Sequence, residues 1–265
     1  MNGMDEADDP RRRLLIQALT AGLFAAGLPG TNALAASIFG SRPQKLPAGQ
    51  SIYFLSGEAT VNGKMATMNT KINPGDTVQT GKDSELIFVV NTHSMILRAE
   101  SHLIIEAAQN TTEVKKVEEQ KTVEKKTEDT NLASLLISGL RMLTGRLLTV
   151  SRNSAMQVHT ATATIGIRGT GFYVEADPEL TYFCTCYGMT DVQASEDPES
   201  KTTVVSKHHD RPLYILKDQG QGNNIRSAPF INHTDQELTL IEALVGRTPP
   251  FVFANDAYNA PRRDY

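Results

Sequence analysis

The chain has 265 residues, 40% hydrophobic and 21% charged, with 26 Lys and Arg against 30 Asp and Glu and a formal net charge of -4. A general nucleic-acid binder needs clustered excess cations, which this balance does not provide, and the apolar fraction argues against a wholly disordered chain. No Trp, 6% aromatics and two Cys leave little material for an aromatic stacking surface and exclude a disulfide-rich scaffold.

Residues 1–35 read as an export signal. An acidic start is followed by Arg11, Arg12 and Arg13, then by a mildly apolar stretch to Leu28 and by Ala33-Leu34-Ala35. Charged region, short apolar region and small-residue cleavage pattern come in the order a signal peptide requires. Arg11-Arg12 before Leu14-Leu15 resembles a twin-arginine signal, with Pro10, Leu14 and Ile16 in place of its usual Ser/Thr, Phe and Lys. The apolar stretch is shorter than the roughly 20 residues that span a bilayer. The expectation is cleavage after Ala35, a periplasmic location and no transmembrane segment in the mature chain. Residues 36–49 read as a linker.

From residue 50 strand signals dominate. Ser51 to Val61 is apolar-rich with Gly57 as a turn, and Asn62-Gly63 is a favoured hairpin pair because both residues tolerate positive φ. Asn73-Pro74-Gly75-Asp76 and Thr80-Gly81-Lys82-Asp83 are turns between short strands at Thr77–Gln79, Glu85–Val90, Ser94–Leu97 and His102–Glu106. Residues 110–131 break the pattern: Glu113 to Asp129 holds six acids and five lysines, a solvated charged insertion. Leu132 to Val150 carries apolar residues at helical spacing through its first half, interrupted by Gly139 and Gly145, and predicts a short helix running into a strand. Alternation from Met156 through Ile167 predicts one continuous strand, with His159, Ala161, Ala163, Ile165 and Ile167 on one face. Gly166, Gly169 and Gly171 around Arg168 mark a bulge or corner. Further strands are expected at Leu180–Tyr187, around Val204-Val205 and at Leu213–Leu216. In the extension 219–265, a helix is expected over 235–244, with Thr234 as N-cap and Glu237 completing a capping box. The fold expected for 50–218 is mainly β, an antiparallel sandwich or roll with one or two short helices.

Two stretches resemble the FecR-domain family. Ile72-Asn73-Pro74-Gly75-Asp76 followed by Thr80-Gly81-Lys82-Asp83-Ser84 is similar to its front half. His159 to Thr170, ending in Gly166-Ile167-Arg168-Gly169-Thr170, is similar to its second half. The resemblance implies a periplasmic β-rich module in a sensing, signalling or scaffold role that binds a partner protein or envelope component. The namesake passes a transporter signal to a sigma factor. This chain shows neither an anti-sigma segment nor a transmembrane helix ahead of the similar region, so the expectation is a stand-alone exported module.

For chemistry, Cys184-Thr185-Cys186 is the sharpest feature. On a strand the two thiols share a face with Tyr182, with Cα atoms about 6.6 Å apart. That separation is near the limit for a disulfide. Two thiolates on one face supply half of a transition-metal site, with His208, His209 or His159 completing it. Adjacent His208 and His209 point to opposite faces of an extended chain, so one of them is expected to join. Buried structural thiols, a metal or cofactor site and a redox pair all stay open. Gly166 to Gly171 lacks a phosphate-loop ending, which leaves Arg168 bonding carbonyls or a carboxylate. Asp76 and Asp83 are expected to bond their own turns, and His93, His102 and His233 to face solvent or be satisfied by ordinary hydrogen bonds. Lacking G-x-S-x-G, H-E-x-x-H or a recognised nucleophile context, the chain is expected not to be an enzyme.

Overall fold

The computed structural model describes residues 44–108 and 136–251; the signal region, the charged insertion 110–131 and the tail from Ala254 lie outside them. The described chain is mainly β, with a single short helix among those residues. Its strands are β1 (Ile52–Ser56), β2 (Ala59–Val61), β3 (Lys64–Met65), β4 (Thr77–Thr80), β5 (Glu85–Val90), β6 (His93–Leu97), β7 (His102–Ala107), β8 (Ile137–His159), β9 (Ala163–Ala176), β10 (Leu180–Ala194), β11 (Lys201–Ser206), β12 (Leu213–Leu216) and β13 (Ile225–Ser227). The helix α1 is Asp235–Leu244. No helix among the described residues is long and apolar enough to cross a membrane.

The strands form one 13-stranded sheet in the order β13-β12-β10-β9-β8-β7-β4-β2-β3, with β11 beside the second half of β10 and the β1–β5–β6 unit joined to β8 through β6. The pairings are antiparallel, and three long strands are the spine. β8 meets β7 and then β6 along one edge and β9 along the other. β10 pairs with β9 along its length and with β12 and then β11 on its far edge.

Turn chemistry sets the short strands. Asn62 and Gly63 both adopt positive φ, 52° and 74°, and close the β2–β3 hairpin as expected. Asp76 accepts from the Asn73 N–H at 2.8 Å, tying the turn whose Gly75 sits at φ 94°.

Two expectations fail. From Ile137 on, the stretch predicted to begin as a helix is the first half of β8; residues 132–135 lie outside the described residues. Leu140 and Met142 alternate into the core, while Leu143, which a helical stripe would bury, is 40% exposed. Gly139 and Gly145 weaken a helix here by roughly 1 kcal/mol each, and β7, β6 and β9 offer edges on both sides. The continuous strand predicted across residues 156–167 is a hairpin instead: β8 ends at His159 and β9 starts at Ala163. The Thr160 N–H donates to the Ala163 carbonyl at 2.9 Å and its hydroxyl accepts the Ala163 N–H at 3.0 Å. The turn brings Val158 and Ile165, of opposite strand parity, into one core. Alternating Ala and Thr continues unchanged through the turn, so the pattern hides it.

The spine strands are buried on both faces. Leu147, Phe172, Val174 and Phe183 enter one core with residues from β1 through β12, so the sheet folds round it. Their neighbours Leu148, Tyr173, Tyr182 and Cys184 face the other way into a second core, which is closed by Leu238, Leu240, Ile241 and Leu244 of α1. The helix starts as expected, with Thr234 and Glu237 forming a capping box.

The segment that covers the second core also carries acids into it. Glu237 meets Arg98 at 2.7 Å with side chains only 3% and 5% exposed. Arg98 also donates to the Asn232 carbonyl and to the Tyr173 hydroxyl. Glu242, fully buried, accepts from the Tyr187 hydroxyl and from Arg247. Removing one partner of such a buried pair strands the other's charge. Glu237→Ala is therefore expected to lower the unfolding free energy by about 3–5 kcal/mol in urea titration. The Arg98→Met/Glu237→Leu pair is expected to lose less than that single change.

Candidate functional site

The second core contains the chain's two thiols. Tyr182, Cys184 and Cys186 project from one face of β10, as strand periodicity requires. Both cysteines are free, with no accessible surface. Register shifts at Thr185/Tyr187 and Tyr187/Met189 bend β10 just beyond them and bring Tyr187 into the same core.

His209 reaches the thiols from the turn after β11. Asp210 builds that turn by accepting the Lys207 N–H at 2.6 Å, and its own N–H donates to the Ser206 hydroxyl at 3.0 Å. His209 sits at φ 54°, and its N–H donates to the Cys186 carbonyl at 2.9 Å. The imidazole is thereby held over the cysteines, with Nδ1 3.5 Å from Cys184 Sγ. Because the chain turns here, His208 and His209 do not diverge as an extended pair would. Both Nε2 atoms reach Asp235, at 2.9 and 3.0 Å. His208 stops at that carboxylate; His209 alone of the two joins the thiols.

The fourth member is His233, which was expected to face solvent or make ordinary hydrogen bonds. It is 1% exposed, stacked on Tyr173 with ring centroids 4.5 Å apart. Its Nδ1–H donates to the Ile231 carbonyl at 2.7 Å, and its Nε2 lies 3.1 Å from His209 Nδ1. Nothing local marks it in the sequence beyond its place just before the Thr234 cap. Cys184, Cys186, His209 and His233 bring one donor atom each to within 4.8 Å of one another, and His208, His209 and Asp235 form an adjoining group. His159 is elsewhere, at the end of β8 beside Thr164.

The cluster polarises its members. Burial pushes the Cys184 thiol up, but the Cys186 S–H, the His233 ring and the His209 donor outweigh it and hold Cys184 well below the usual thiol range. Burial and the neighbouring Cys184 push Cys186 well above that range. Burial works against a charged His209, yet hydrogen bonds to Asp235 and Cys184 raise its pKa. Asp235 resists its own burial through the same two histidines and stays below its ordinary value.

A second feature lies further along the same strands. Gly166, Ile167 and Arg168 line an open groove of about 480 Å³ with Gln157, Asp191, Gln193 and Lys201. Arg168 bonds a carboxylate, as expected, meeting Asp191 at 2.9 Å with side chains 65% and 41% exposed. Gly169, at φ 63°, and the buried Thr170 form the bulge beside it.

No protein-family model matches the chain, and no curated protein sequence matches it. Among solved structures, two crystal structures of a candidate anti-sigma factor from Parabacteroides distasonis are similar to part of it. Identity is 14% in each, with TM-scores of 0.38 and 0.39, and the match covers 59% of this chain. The chain spans 60% of the length of those proteins.

Of the remaining histidines, His102 meets the Gln79 amide at 3.2 Å, an ordinary contact. His93 departs from expectation: it is 3% exposed, and its Nδ1 finds no hydrogen-bond partner among the described residues. Burial first, and the nearby Arg247 charge second, lower its pKa from 6.5 to about 4. The unfolded chain takes up this proton near pH 6.5 and the folded chain does not, so His93 supports folding above that value and its contribution is lost as pH falls toward 4. An imidazole NMR titration is expected to place the His93 midpoint near 4. Between pH 7 and 4, His93→Gln is expected to remove on the order of 3 kcal/mol of the acid-induced loss of stability.

Proposed function

We propose that this chain is an exported, non-catalytic FecR-like β module that binds a partner protein or envelope component in a sensing or signalling role. The observation that carries the reading is the place of Arg168. The FecR-like stretch does not end inside the core; it sets Arg168 and its partner Asp191 on the rim of an open groove, beside Lys201, Gln157 and Gln193. Fixed, exposed charges of both signs beside amide side chains suit recognition of a polar protein surface. The front motif supports the family reading through its turns, with Gly75 at φ 94° and Asp76 bonded into its own loop.

The non-catalytic part of the reading rests on closure. Cys184, Cys186, His209 and His233, which hold the reactive groups, are all buried, and His209 contacts both Cys184 and His233. A reacting substrate needs contact with such groups, and a buried cluster denies it. Export is supported by the order of parts in residues 1–35, and a periplasmic location follows from it.

The test uses the mature protein with periplasmic and membrane extracts of the source cell. An exposed ion pair contributes at most about 1 kcal/mol to stability, so Arg168→Glu is expected to leave the circular-dichroism spectrum and melting temperature nearly unchanged. The same change is expected to reduce capture of the wild-type partner at least tenfold. Equal capture by variant and wild type removes the groove from the reading. An uncut precursor found in the cytoplasm removes export.

A further inference from the structure

Two thiols and two imidazoles converge from three separate stretches of chain: Cys184 and Cys186 from β10, His209 from the turn after β11, and His233 from the approach to α1. Each imidazole already spends its outer nitrogen on a group that only accepts. His209 Nε2 donates to Asp235 at 3.0 Å, and His233 Nδ1 donates to the Ile231 carbonyl at 2.7 Å. In its neutral form each imidazole carries one N–H, and with the outer nitrogens donating, both inner nitrogens then present lone pairs. Those nitrogens face each other at 3.1 Å, with the Cys184 sulfur 3.5 Å from one of them. Lone pairs and sulfur aimed at one point in a buried seam are relieved either by a proton on the His209 ring or by a cation, and four donor atoms within 4.8 Å of one another fit a cation bound by all of them.

We propose that Cys184, Cys186, His209 and His233 form a closed tetrahedral site for zinc(II). The proposal is independent of the partner-binding reading and goes beyond it. Bond lengths of 2.0–2.1 Å to nitrogen and about 2.3 Å to sulfur, at tetrahedral angles, place two nitrogens about 3.3 Å apart and nitrogen and sulfur about 3.6 Å apart. The observed 3.1 and 3.5 Å need only small adjustments. The donor set is soft and oxygen-free, which suits zinc and not magnesium or calcium.

The surrounding groups are those a ligating histidine uses. Asp235 fixes the His209 ring and tautomer, the Ile231 carbonyl fixes His233, and His208 steadies Asp235 from its other side. Four buried protein ligands leave no open position for a reacting molecule, so the ion holds structure rather than transforming a substrate. What it holds is specific. Two ligands belong to the sheet, and His233 belongs to the segment that leads into α1 and covers the second core. Zinc therefore clips that cover to the sheet, and its binding free energy adds to docking.

The test uses the full mature chain, stripped by a chelator and titrated with zinc against a chromophoric competitor, with cobalt(II) as a spectroscopic probe. The expected result is about one equivalent of tightly held zinc. Cobalt is expected to give the intense visible absorption of a tetrahedral ion together with thiolate-to-cobalt charge transfer. Cys184→Ser and His233→Ala are expected to weaken binding at least tenfold, and His159→Ala to leave it unchanged. Asp235→Asn keeps all four ligands and is expected to lose roughly 10–100-fold in affinity. Should the cysteine variant not fold, the wild-type cobalt spectrum and the Asp235→Asn titration decide. Hydrogen exchange in α1 is expected to slow on loading. Bound zinc below about one-tenth equivalent, a weak octahedral cobalt spectrum without sulfur charge transfer, or equal losses in His159→Ala and Cys184→Ser would overturn the site. Failure of this experiment leaves the Arg168 groove untouched, and the reverse holds as well.

Discussion

A sheet strand that is apolar on both faces must be covered twice, and the long strands β8, β9 and β10 meet that demand in two different ways. On one side the sheet folds round its own side chains, so Phe172 and Phe183 pack with residues contributed by strands from both ends of the chain. On the other side the sheet cannot cover itself, and residues 228–251 do so. The buried apolar side chains there, from Ile87 and Ile96 to Tyr173 and Tyr182, pack in one cluster with Leu238, Leu240, Ile241 and Leu244 of that segment. At roughly 1.5–3 kcal/mol for each large side chain, the cover contributes a substantial share of a domain's net stability.

The cover is not purely apolar, and this shapes the chemistry of the seam. Asp235, Glu237 and Glu242 all enter it buried. The first two lie in the first turn of α1, where the helix N-terminus favours negative charge. Each still needs a cationic or hydrogen-donating partner, because an unpaired buried charge costs several kcal/mol. Arg98 from the end of β6, Tyr187 from β10 with Arg247, and the His208-His209 pair fill those roles. The cluster of thiols and imidazoles thus belongs to the matching of a charged lid to a sheet. The open groove around Arg168 lies along the same strands but outside the seam, so a buried clip and an exposed recognition surface share one sheet without competing for residues.

Local physics made much of this readable in advance. Asn62-Gly63 and Gly75 identify their turns because few other residues accept positive φ cheaply. Thr234 and Glu237 announce the start of α1 because the capping box is completed within four residues. The shared face of Cys184 and Cys186 follows from the two-residue repeat of any strand.

Where the outcome depends on residues distant in sequence, the pattern misled or was silent. Leu132 to Val150 has helical spacing through its first half, yet the strand expected only in its second half already begins at Ile137, because three partner edges were waiting for it. Only those partners reveal that Leu143 points outward. The Thr160–Ala163 turn hides inside an unbroken alternation because its hydrogen bonds need no Gly or Pro. His208 and His209 are equivalent as letters; the positive φ of His209 and its bond to the Cys186 carbonyl choose between them. His233 carries no local sign of its role, since it becomes a neighbour of Cys184 only when the second core is closed. The chain by itself determined strands, turns, the helix cap and the pairing of thiols on one face, all set by contacts a few residues apart. The identity of the two histidines, the burial of His93 and the choice of strand over helix were decided by tertiary packing, because each depends on which distant segment covers which face.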